Sequence, residues 1–324
     1  MNESSARVPT EASPRAAIGA SAATPLSGII PPMITPLSGR DTLDVAGLER
    51  LIEHIIAGGV NGLFILGTSG EAPGLSYRLR RELVERTCRQ VRGRLPVLVG
   101  ITDTSFVEAL AMAALAAESG AQAVVSAGPF YLPTAQPELV DYVERLVREL
   151  PLPLYLYNMP QLTKVPFEIE TLRHLAGLKQ IAGVKDSSGD LAYFERLLAL
   201  KRERPDWSML VGPEHLLAEA TRRGGDGGVN GGANYHPRLF VDLFAAVKRE
   251  DRARVEQLQD QILQLGQIYS VGRHASAVIK GMKCACSLLG LCDDHMAEPF
   301  ERFHEPERAR VRAVLASLHL LPAP

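Results

Sequence analysis

Short apolar runs alternate with longer amphipathic segments along most of the chain, and the alternation repeats about eight times. The runs are rich in consecutive apolar and β-branched residues, which is typical of buried strands. In the longer segments, such as 45–56, 78–91 and 104–119, apolar residues recur at steps of three and four, which is typical of helices. The predicted strands are 28–34, 62–66, 96–101, 123–126, 153–157, 181–185, 209–212 and 227–230.

Strands that alternate with helices, with no hairpin signal between them, predict a parallel sheet. Eight such units in roughly 200 residues fit a closed barrel better than an open doubly wound sheet, and no dinucleotide-binding fingerprint follows the first run. Beyond residue 250 the pattern is helical, over 252–269, 275–289 and 306–318. We therefore expect an α/β protein with a disordered tail at 1–25, a (β/α)8 TIM barrel at 26–250 and a C-terminal helical appendage at 251–324.

Composition and charge narrow the classes of ligand. The 324 residues are 46% hydrophobic, and 35 Lys and Arg against 37 Asp and Glu give a net charge of -2. This balance provides no field to recruit nucleic acid or an anionic membrane, and no apolar run approaches the ~18 residues that span a bilayer. Four cysteines without zinc-site spacing predict reduced thiols and a cytoplasmic protein. A small neutral or anionic metabolite is the expected ligand.

The carboxyl ends of the strands are where a barrel carries its chemistry. The sixth run reads Ile181-Ala182-Gly183-Val184-Lys185-Asp186. Alternation along a strand places Ile181, Gly183 and Lys185 on one face. If that face points into the barrel, desolvation should lower the pKa of the Lys185 amine and make it a nucleophile toward a carbonyl carbon. A solvated lysine in a salt bridge is the alternative.

Three other strand ends carry groups that suit the same chemistry. Tyr157 ends the fifth run, where a phenol can move protons to and from a carbinolamine, although a buried core tyrosine is the alternative. Thr68 and Ser69 stand between glycines after the second run, and their hydroxyl and N–H groups suit a carboxylate, unless they form an ordinary turn. The glycine-rich segment 227–232 would let a ligand approach the backbone, or it is a flexible loop.

Together these residues resemble one family, the pyruvate-dependent class I aldolases of the dihydrodipicolinate synthase and N-acetylneuraminate lyase type. The resemblance covers about residues 28–320 and rests on four motifs that occur in the family's order. The motifs are Gly67-Thr68-Ser69-Gly70-Glu71, Pro129-Phe130-Tyr131, Tyr157-Asn158-Met159-Pro160 and Gly183-Val184-Lys185-Asp186.

The resemblance implies a role for each matching residue. Lys185 would form the Schiff base, Tyr157 would act as acid and base, and Ser69 would relay protons between Tyr157 and Tyr131. The amides and hydroxyls of Thr68 and Ser69 would hold the carboxylate of the 2-oxo acid, with the carbonyl of Val229 close to it.

The resemblance also implies partners and a mechanism without cofactors. The protonated imine is the electron sink, so neither a metal nor an organic cofactor is required. In relatives the tyrosine that matches Tyr131 comes from a neighbouring subunit, so a homo-oligomer, commonly a tetramer of two dimers, is expected. The small-molecule partners would be pyruvate and an aldehyde.

The second substrate is where the sequence departs from the pattern. Lysine-biosynthesis synthases usually have an arginine at the position of Leu162, and the loss of this carboxylate clamp disfavours that activity. Sialate lyases share the leucine but typically have an Asp-Glu pair where this chain has Gly212-Pro213-Glu214-His215. We expect Gly212, Glu214 and Leu162 to contact the substrate, and His215 to be either a contact or a solvated helix-start residue.

Several functions remain open at this point. A 2-keto-3-deoxy sugar acid or 4-hydroxy-2-oxoglutarate is the preferred substrate, with dihydrodipicolinate synthase or N-acetylneuraminate lyase activity as alternatives. A non-catalytic barrel that binds a 2-oxo acid is an alternative of another class. A phosphate-binding barrel is weakened because Arg222 and Arg223 are the only cations near the glycine-rich segment.

Overall fold

The computed structural model describes residues 25–321, so the predicted tail lies outside it up to residue 24. Eight parallel strands form one curled sheet, and each predicted run overlaps one of them. They are β1 Gly28–Ile29, β4 Leu63–Ile65, β5 Val97–Gly100, β6 Ala123–Ala127, β7 Leu154–Asn158, β8 Ile181–Asp186, β9 Ser208–Val211 and β10 Gly227–Gly228. Their order in the sheet is β1-β10-β9-β8-β7-β6-β5-β4.

Helices cover the outside of the sheet and continue after its last strand. Five of them begin at an Asp or Ser whose side chain accepts from N–H groups of the first turn, at Asp44, Ser76, Ser105, Asp190 and Asp251. Within residues 25–321, no helix is long and apolar enough to cross a bilayer. The helices are α1 Val45–Ala57, α2 Tyr77–Val91, α3 Phe106–Glu118, α4 Gln136–Glu149, α5 Pro160–Thr163, α6 Ile169–Leu175, α7 Leu191–Ala199, α8 Leu217–Arg222, α9 Pro237–Lys248, α10 Arg252–Gly266, α11 Ala277–Leu288 and α12 Glu307–Ser317.

The two edges of the curled sheet approach each other just after β1. The N–H of Met33 donates to the carbonyl of Phe64 at 2.8 Å, and the N–H of Phe64 donates to the carbonyl of Pro31 at 3.0 Å. Pro32 and Phe64 thus form a parallel bridge between the first strand segment and β4. This arrangement is consistent with the predicted (β/α)8 barrel.

A small hairpin that the sequence analysis did not predict precedes α1, outside the parallel sheet. The strand β2, Leu37–Gly39, pairs antiparallel with β3, Thr42–Leu43. Asp41 in the connecting turn has a φ of 51°, and aspartate tolerates this left-handed conformation better than most side chains. The turn signal is short and polar, which makes it easy to overlook between two longer elements.

The sheet separates two apolar layers. The outer layer lies between strands and helices, where each helix buries one face. The inner layer fills the space enclosed by the sheet, as expected for a barrel whose interior is a packed core. Its residues are Ile30, Phe64, Leu98, Ala123, Val125, Ala127, Tyr155, Tyr157, Leu210 and Val229.

A register shift in β8 decides which side chains face the interior. Leu154 pairs with Ile181, but the next residue, Tyr155, pairs with Gly183. Ile181 therefore packs in the outer layer, and Ala182 packs against the inner one. The prediction that Ile181 shares a face with Lys185 was wrong, because strict alternation does not hold across an irregularity of this kind.

A buried ion pair ties the loop after β4 to the C-terminal helices. The ammonium of Lys283, on α11, is fully buried and forms an ion pair with Glu71, and it also donates to the carbonyl of His295 at 2.6 Å. Glu71 accepts in addition from the N–H of Ala297 at 2.9 Å. Burial lowers the pKa of Lys283, although the charge of Glu71 opposes this. Each charge is thus held in place by the other.

We predict that Lys283→Met destabilises the protein by about 3–5 kcal/mol, because it leaves the carboxylate of Glu71 buried without its counter-charge. The measurement is the free energy of unfolding by denaturant. Arg40→Met is the matched control, since it breaks the exposed pair with Glu298 and should change stability little. A loss below about 1 kcal/mol for Lys283→Met would contradict this role for the pair.

Candidate active site

A cavity of about 520 Å³ opens at the carboxyl ends of the strands, where the sequence predicted chemistry. Its lining has two parts. The strand ends and the loops that follow them contribute Pro32, Thr68, Ser69, Tyr157, Met159, Lys185, Ser187, Gly212, Pro213, Glu214, His215, Val229 and Gly231. The C-terminal helices and the turn after α10 contribute Ile262, Leu263, Gly266, Tyr269, Val278 and Met282.

Lys185 reaches the cavity from inside the sheet. It is paired in register with Tyr157 on β7 and Leu210 on β9, and only 5% of its surface is exposed. Its Nζ lies 3.7 Å from the centroid of the Tyr157 ring and 4.9 Å from that of Phe64. The prediction that Lys185 faces the interior among apolar neighbours is confirmed.

The amine and the phenol change each other's proton affinity. Burial lowers the pKa of Lys185, although the phenol of Tyr157 acts in the opposite direction. Burial alone would raise the pKa of Tyr157, but the charge of Lys185 and hydrogen bonds with Thr68, Ser187 and Lys185 outweigh it, and the net shift is downward. The pair has two states with the same number of protons, namely neutral Lys185 beside the Tyr157 phenol and charged Lys185 beside the Tyr157 phenolate. Transfer of one proton between the two side chains interconverts these states without exchange with solvent.

The loop after β4 brings Thr68, rather than Ser69, to the phenol. The hydroxyl of Thr68 lies 3.3 Å from that of Tyr157. Ser69 lines the cavity beside it but, within the described chain, makes no hydrogen bond to a tyrosine. The structure therefore gives the contact with Tyr157 to Thr68, and the expectation that Ser69 makes it was wrong by one residue. Sequence alone does not distinguish two adjacent hydroxyl-bearing residues.

Tyr131 lies away from the cavity of its own chain. It is 90% exposed and has a φ of 80°, in a loop whose next residue, Leu132, is 74% exposed. A tyrosine with positive φ is uncommon. The single chain therefore does not unite Tyr131 with Tyr157.

A polar pair locks together the strand ends that carry the lysine and the tyrosine. Asn158 donates to Asp186 at 2.8 Å and accepts from the N–H of Phe167 at 3.0 Å. Asp186 accepts further bonds from the N–H and hydroxyl of Ser188. Burial raises the pKa of Asp186, against the effect of these donors. The pair fixes β7 against β8 one residue beyond Tyr157 and Lys185.

Glu214 places a carboxyl group in the cavity after β9. Its Oε1 accepts from the N–H of Gly232 at 2.5 Å and from the hydroxyl of Tyr269 at 2.7 Å, and Tyr235 donates to Tyr269 at 3.2 Å. Its Oε2 is inaccessible to water and has no hydrogen-bond partner among the described residues. Burial raises the pKa of Glu214 to about 6. The carboxyl thus has one oxygen fixed and one oxygen unused.

The remaining predicted site residues divide into two groups. Gly212, Val229 and His215 line the cavity, with His215 exposed. Leu162, on α5, is 52% exposed and does not line it, so the expected substrate contact is not formed in this chain. The glycines of 227–232 also have a packing role, because a Cβ on Gly227 would lie 1.9 Å from the carbonyl oxygen of Gly28.

The sequence interpretation missed several residues of the cavity. Ser187 directly follows the Lys185-Asp186 motif, and its position after a strand end could have revealed it. Tyr269, Leu263, Val278 and Met282 belong to the helical region, which no strand-end rule covers. Their contribution shows that the C-terminal helices complete the cavity rather than merely follow the sheet.

Comparison with known proteins agrees with the motifs. The sequence model of the "Dihydrodipicolinate synthetase family" matches residues 25–318. A protein of Escherichia coli strain K12 named "Probable 2-dehydro-3-deoxy-D-pentonate aldolase YjhH" is 32% identical, and the match covers 91% of this chain and 98% of that protein.

Two solved structures have the same fold over nearly their whole length. The dihydrodipicolinate synthase of Bacteroides thetaiotaomicron is 52% identical with a TM-score of 0.88, and the match covers 91% of this chain and 99% of that one. YagE of E. coli K12, solved in complex with pyruvate, is 29% identical with a TM-score of 0.86 and the same coverage. The chain therefore belongs to the dihydrodipicolinate synthetase family of lyases and aldolases.

Proposed function

We propose that this class I aldolase forms a Schiff base between Lys185 and pyruvate or a pyruvate-like 2-oxo acid, and then makes or breaks the adjacent carbon–carbon bond. The observation that carries the proposal is the Lys185 amine, buried in an apolar interior, in contact with Tyr157, and open to a cavity. Burial favours the neutral amine, which is the form that attacks a carbonyl. The relative solved with pyruvate supports the choice of 2-oxo acid.

Proton transfer is assigned to the phenol and its hydroxyl partner. Tyr157 takes and returns the protons of the carbinolamine as water leaves, and Thr68 hydrogen-bonds to it. The protonated imine then accepts the electron pair of the carbon–carbon bond. No metal or organic cofactor is required for these steps.

The carboxylate of the 2-oxo acid is assigned to the loop after β4. Thr68, Ser69 and Val229 line the cavity. The hydroxyl and N–H groups of Thr68 and Ser69 would bind the carboxylate, with the carbonyl of Val229 close to the bound 2-oxo acid. Hydrogen bonds to a carboxylate are stronger than those between neutral groups. The Glu71–Lys283 pair fixes this loop from behind.

The assembly and the division of the chain also belong to the proposal. Tyr131 is exposed, together with Leu132, and would complete the proton relay in a neighbouring subunit of a homo-oligomer. We assign the barrel to 26–250 and the helical appendage to 251–324, with a tail before them. Four buried cysteines support a reducing, cytoplasmic location.

For the second substrate we favour a 2-keto-3-deoxy sugar acid or 4-hydroxy-2-oxoglutarate. Relatives named as aldolases of 2-dehydro-3-deoxy sugar acids support the first choice. Glu214 lines the cavity and would face the hydroxyl groups of such a substrate.

Dihydrodipicolinate synthase activity is the second candidate, because the relative at 52% identity bears that name. It requires an acceptor with its own carboxylate, and Leu162 offers no charge to bind one. N-acetylneuraminate lyase activity and a non-catalytic 2-oxo acid-binding barrel remain as further alternatives. The intact Lys185, Tyr157 and Thr68 cluster argues against the last of these.

We predict that borohydride added with pyruvate will trap a reduced adduct on Lys185 alone, because among the described residues only this amine is both buried and open to the cavity. Mass spectrometry of peptides locates the adduct. Lys185→Met should abolish it, while Lys164→Met, which removes an exposed lysine, should leave it intact. An adduct at another lysine, or none, would refute the Schiff-base assignment.

Thr68 and Ser69 should differ in which kinetic constant they control. Thr68→Val removes the partner of the Tyr157 hydroxyl and should lower kcat by about 10-fold or more. Ser69→Ala should mainly raise the KM for pyruvate, because it removes a contact made before and during reaction alike. Steady-state kinetics with pyruvate as the varied substrate measures both. A lower kcat in Ser69→Ala combined with a higher KM in Thr68→Val would instead assign the proton relay to Ser69.

A further inference from the structure

The helical part of the cavity has a chemical character of its own. Ile262 and Leu263 on α10, with Val278 and Met282 on α11, present apolar side chains to it. Leu263 and Val278 are 52% and 42% exposed, so part of this wall is left uncovered by the protein. An uncovered apolar wall in a cavity favours an apolar ligand group, since burial removes both surfaces from water.

The charges in the lining point the same way. Among the described residues that line the cavity, Lys185 is the one Lys or Arg, and its amine is consumed in the imine. The other ionisable groups near the helical wall are the carboxyl of Glu214, the imidazole of His215 and the phenol of Tyr269. Burial and the nearby Glu214 keep Tyr269 protonated, so its hydroxyl stays a donor to that carboxyl. A second carboxylate placed here would face the carboxyl of Glu214, and no Lys or Arg of the described lining other than Lys185 could balance it.

We propose that the aldehyde which this enzyme joins to pyruvate, or releases with it, is uncharged and carries an alkyl segment that lies against α10 and α11. This inference rests on the proposed function and narrows its substrates. It disfavours 4-hydroxy-2-oxoglutarate, whose aldehyde product is anionic, and among 2-keto-3-deoxy sugar acids it favours those whose aldehyde half ends in carbons without hydroxyl groups. In the condensation, the methyl carbon of imine-bound pyruvate loses a proton and bonds to the aldehyde carbon. The aldehyde oxygen gains a proton, and water releases the 4-hydroxy-2-oxo acid from Lys185.

The test compares aldehydes of matched length with pyruvate as the common partner. Butanal and succinic semialdehyde differ only by a methyl group in place of a carboxylate, and kcat/KM should favour butanal by at least about 10-fold. Along acetaldehyde, butanal and hexanal, kcat/KM should rise by about two- to fourfold per methylene. A preference for succinic semialdehyde, or a flat or falling alkyl series, would overturn the proposal.

Charge variants of the helical wall sharpen the comparison. Leu263→Arg places a cation in the cavity and should shift the ratio of kcat/KM toward succinic semialdehyde by about 10-fold. Ala253→Arg adds the same charge to an exposed position of α10 away from the cavity and should leave the ratio unchanged. His215→Asn should keep the preference for butanal, because the proposal assigns no anion to the imidazole. An equal shift of the kcat/KM ratio in Leu263→Arg and Ala253→Arg would contradict the claim that the helical wall determines the preference between the two aldehydes.

Failure of this inference can be told apart from failure of the proposed function. Trapping of pyruvate by borohydride does not involve the aldehyde, so the Lys185 adduct should form equally in the wild type and in Ala253→Arg, whose substitution lies outside the cavity. An adduct combined with a preference for the anionic aldehyde overturns the substrate inference alone. The absence of an adduct overturns both.

Discussion

The contact between the Lys185 amine and the Tyr157 ring is the constraint on which the rest of the site depends. An ammonium at this depth would lose most of its hydration, and the phenol is the one polar group that directly moderates this cost. Each group therefore shifts the pKa of the other, which would couple the proposed nucleophile to its proposed acid and base before any substrate binds. For the proposed reaction, the rest of the cavity then has to supply only a binding site for the carboxylate of the 2-oxo acid and space for the aldehyde.

The surrounding structure serves to hold this pair in place. The irregularity at Ala182 turns Lys185 toward the interior in register with Tyr157, and the Asn158–Asp186 pair fixes the two strand ends just beyond them. The Glu71–Lys283 ion pair fixes the loop that carries Thr68, because it connects this loop to helix α11. Because α11 supplies both Lys283 and the apolar wall residues Val278 and Met282, the proposed carboxylate site and the proposed aldehyde site depend on the same helix.

The hydrophobic periodicity was enough to predict the eight parallel strands, because it is a local property of the sequence. The general rule that barrels carry polar groups at strand ends was enough to select Lys185 as a residue of the cavity. The errors arose where a single residue changes the outcome. The irregularity at Ala182 reversed the face of Ile181, and adjacency alone could not separate Thr68 from Ser69. Leu162 and the helical wall could not be placed from sequence, since their positions depend on how α5, α10 and α11 pack in three dimensions rather than on any local pattern.

The central claim is most directly tested by the pH dependence of borohydride trapping of pyruvate on Lys185. Since the neutral amine attacks, the rate should rise with pH and level off at an inflection below 10.5, the ordinary value for the pKa of lysine. In Tyr157→Phe the inflection should move to still lower pH, because the phenol that raises the lysine pKa is gone. An inflection at or above 10.5, or one that Tyr157→Phe leaves unmoved, would contradict the coupled buried pair.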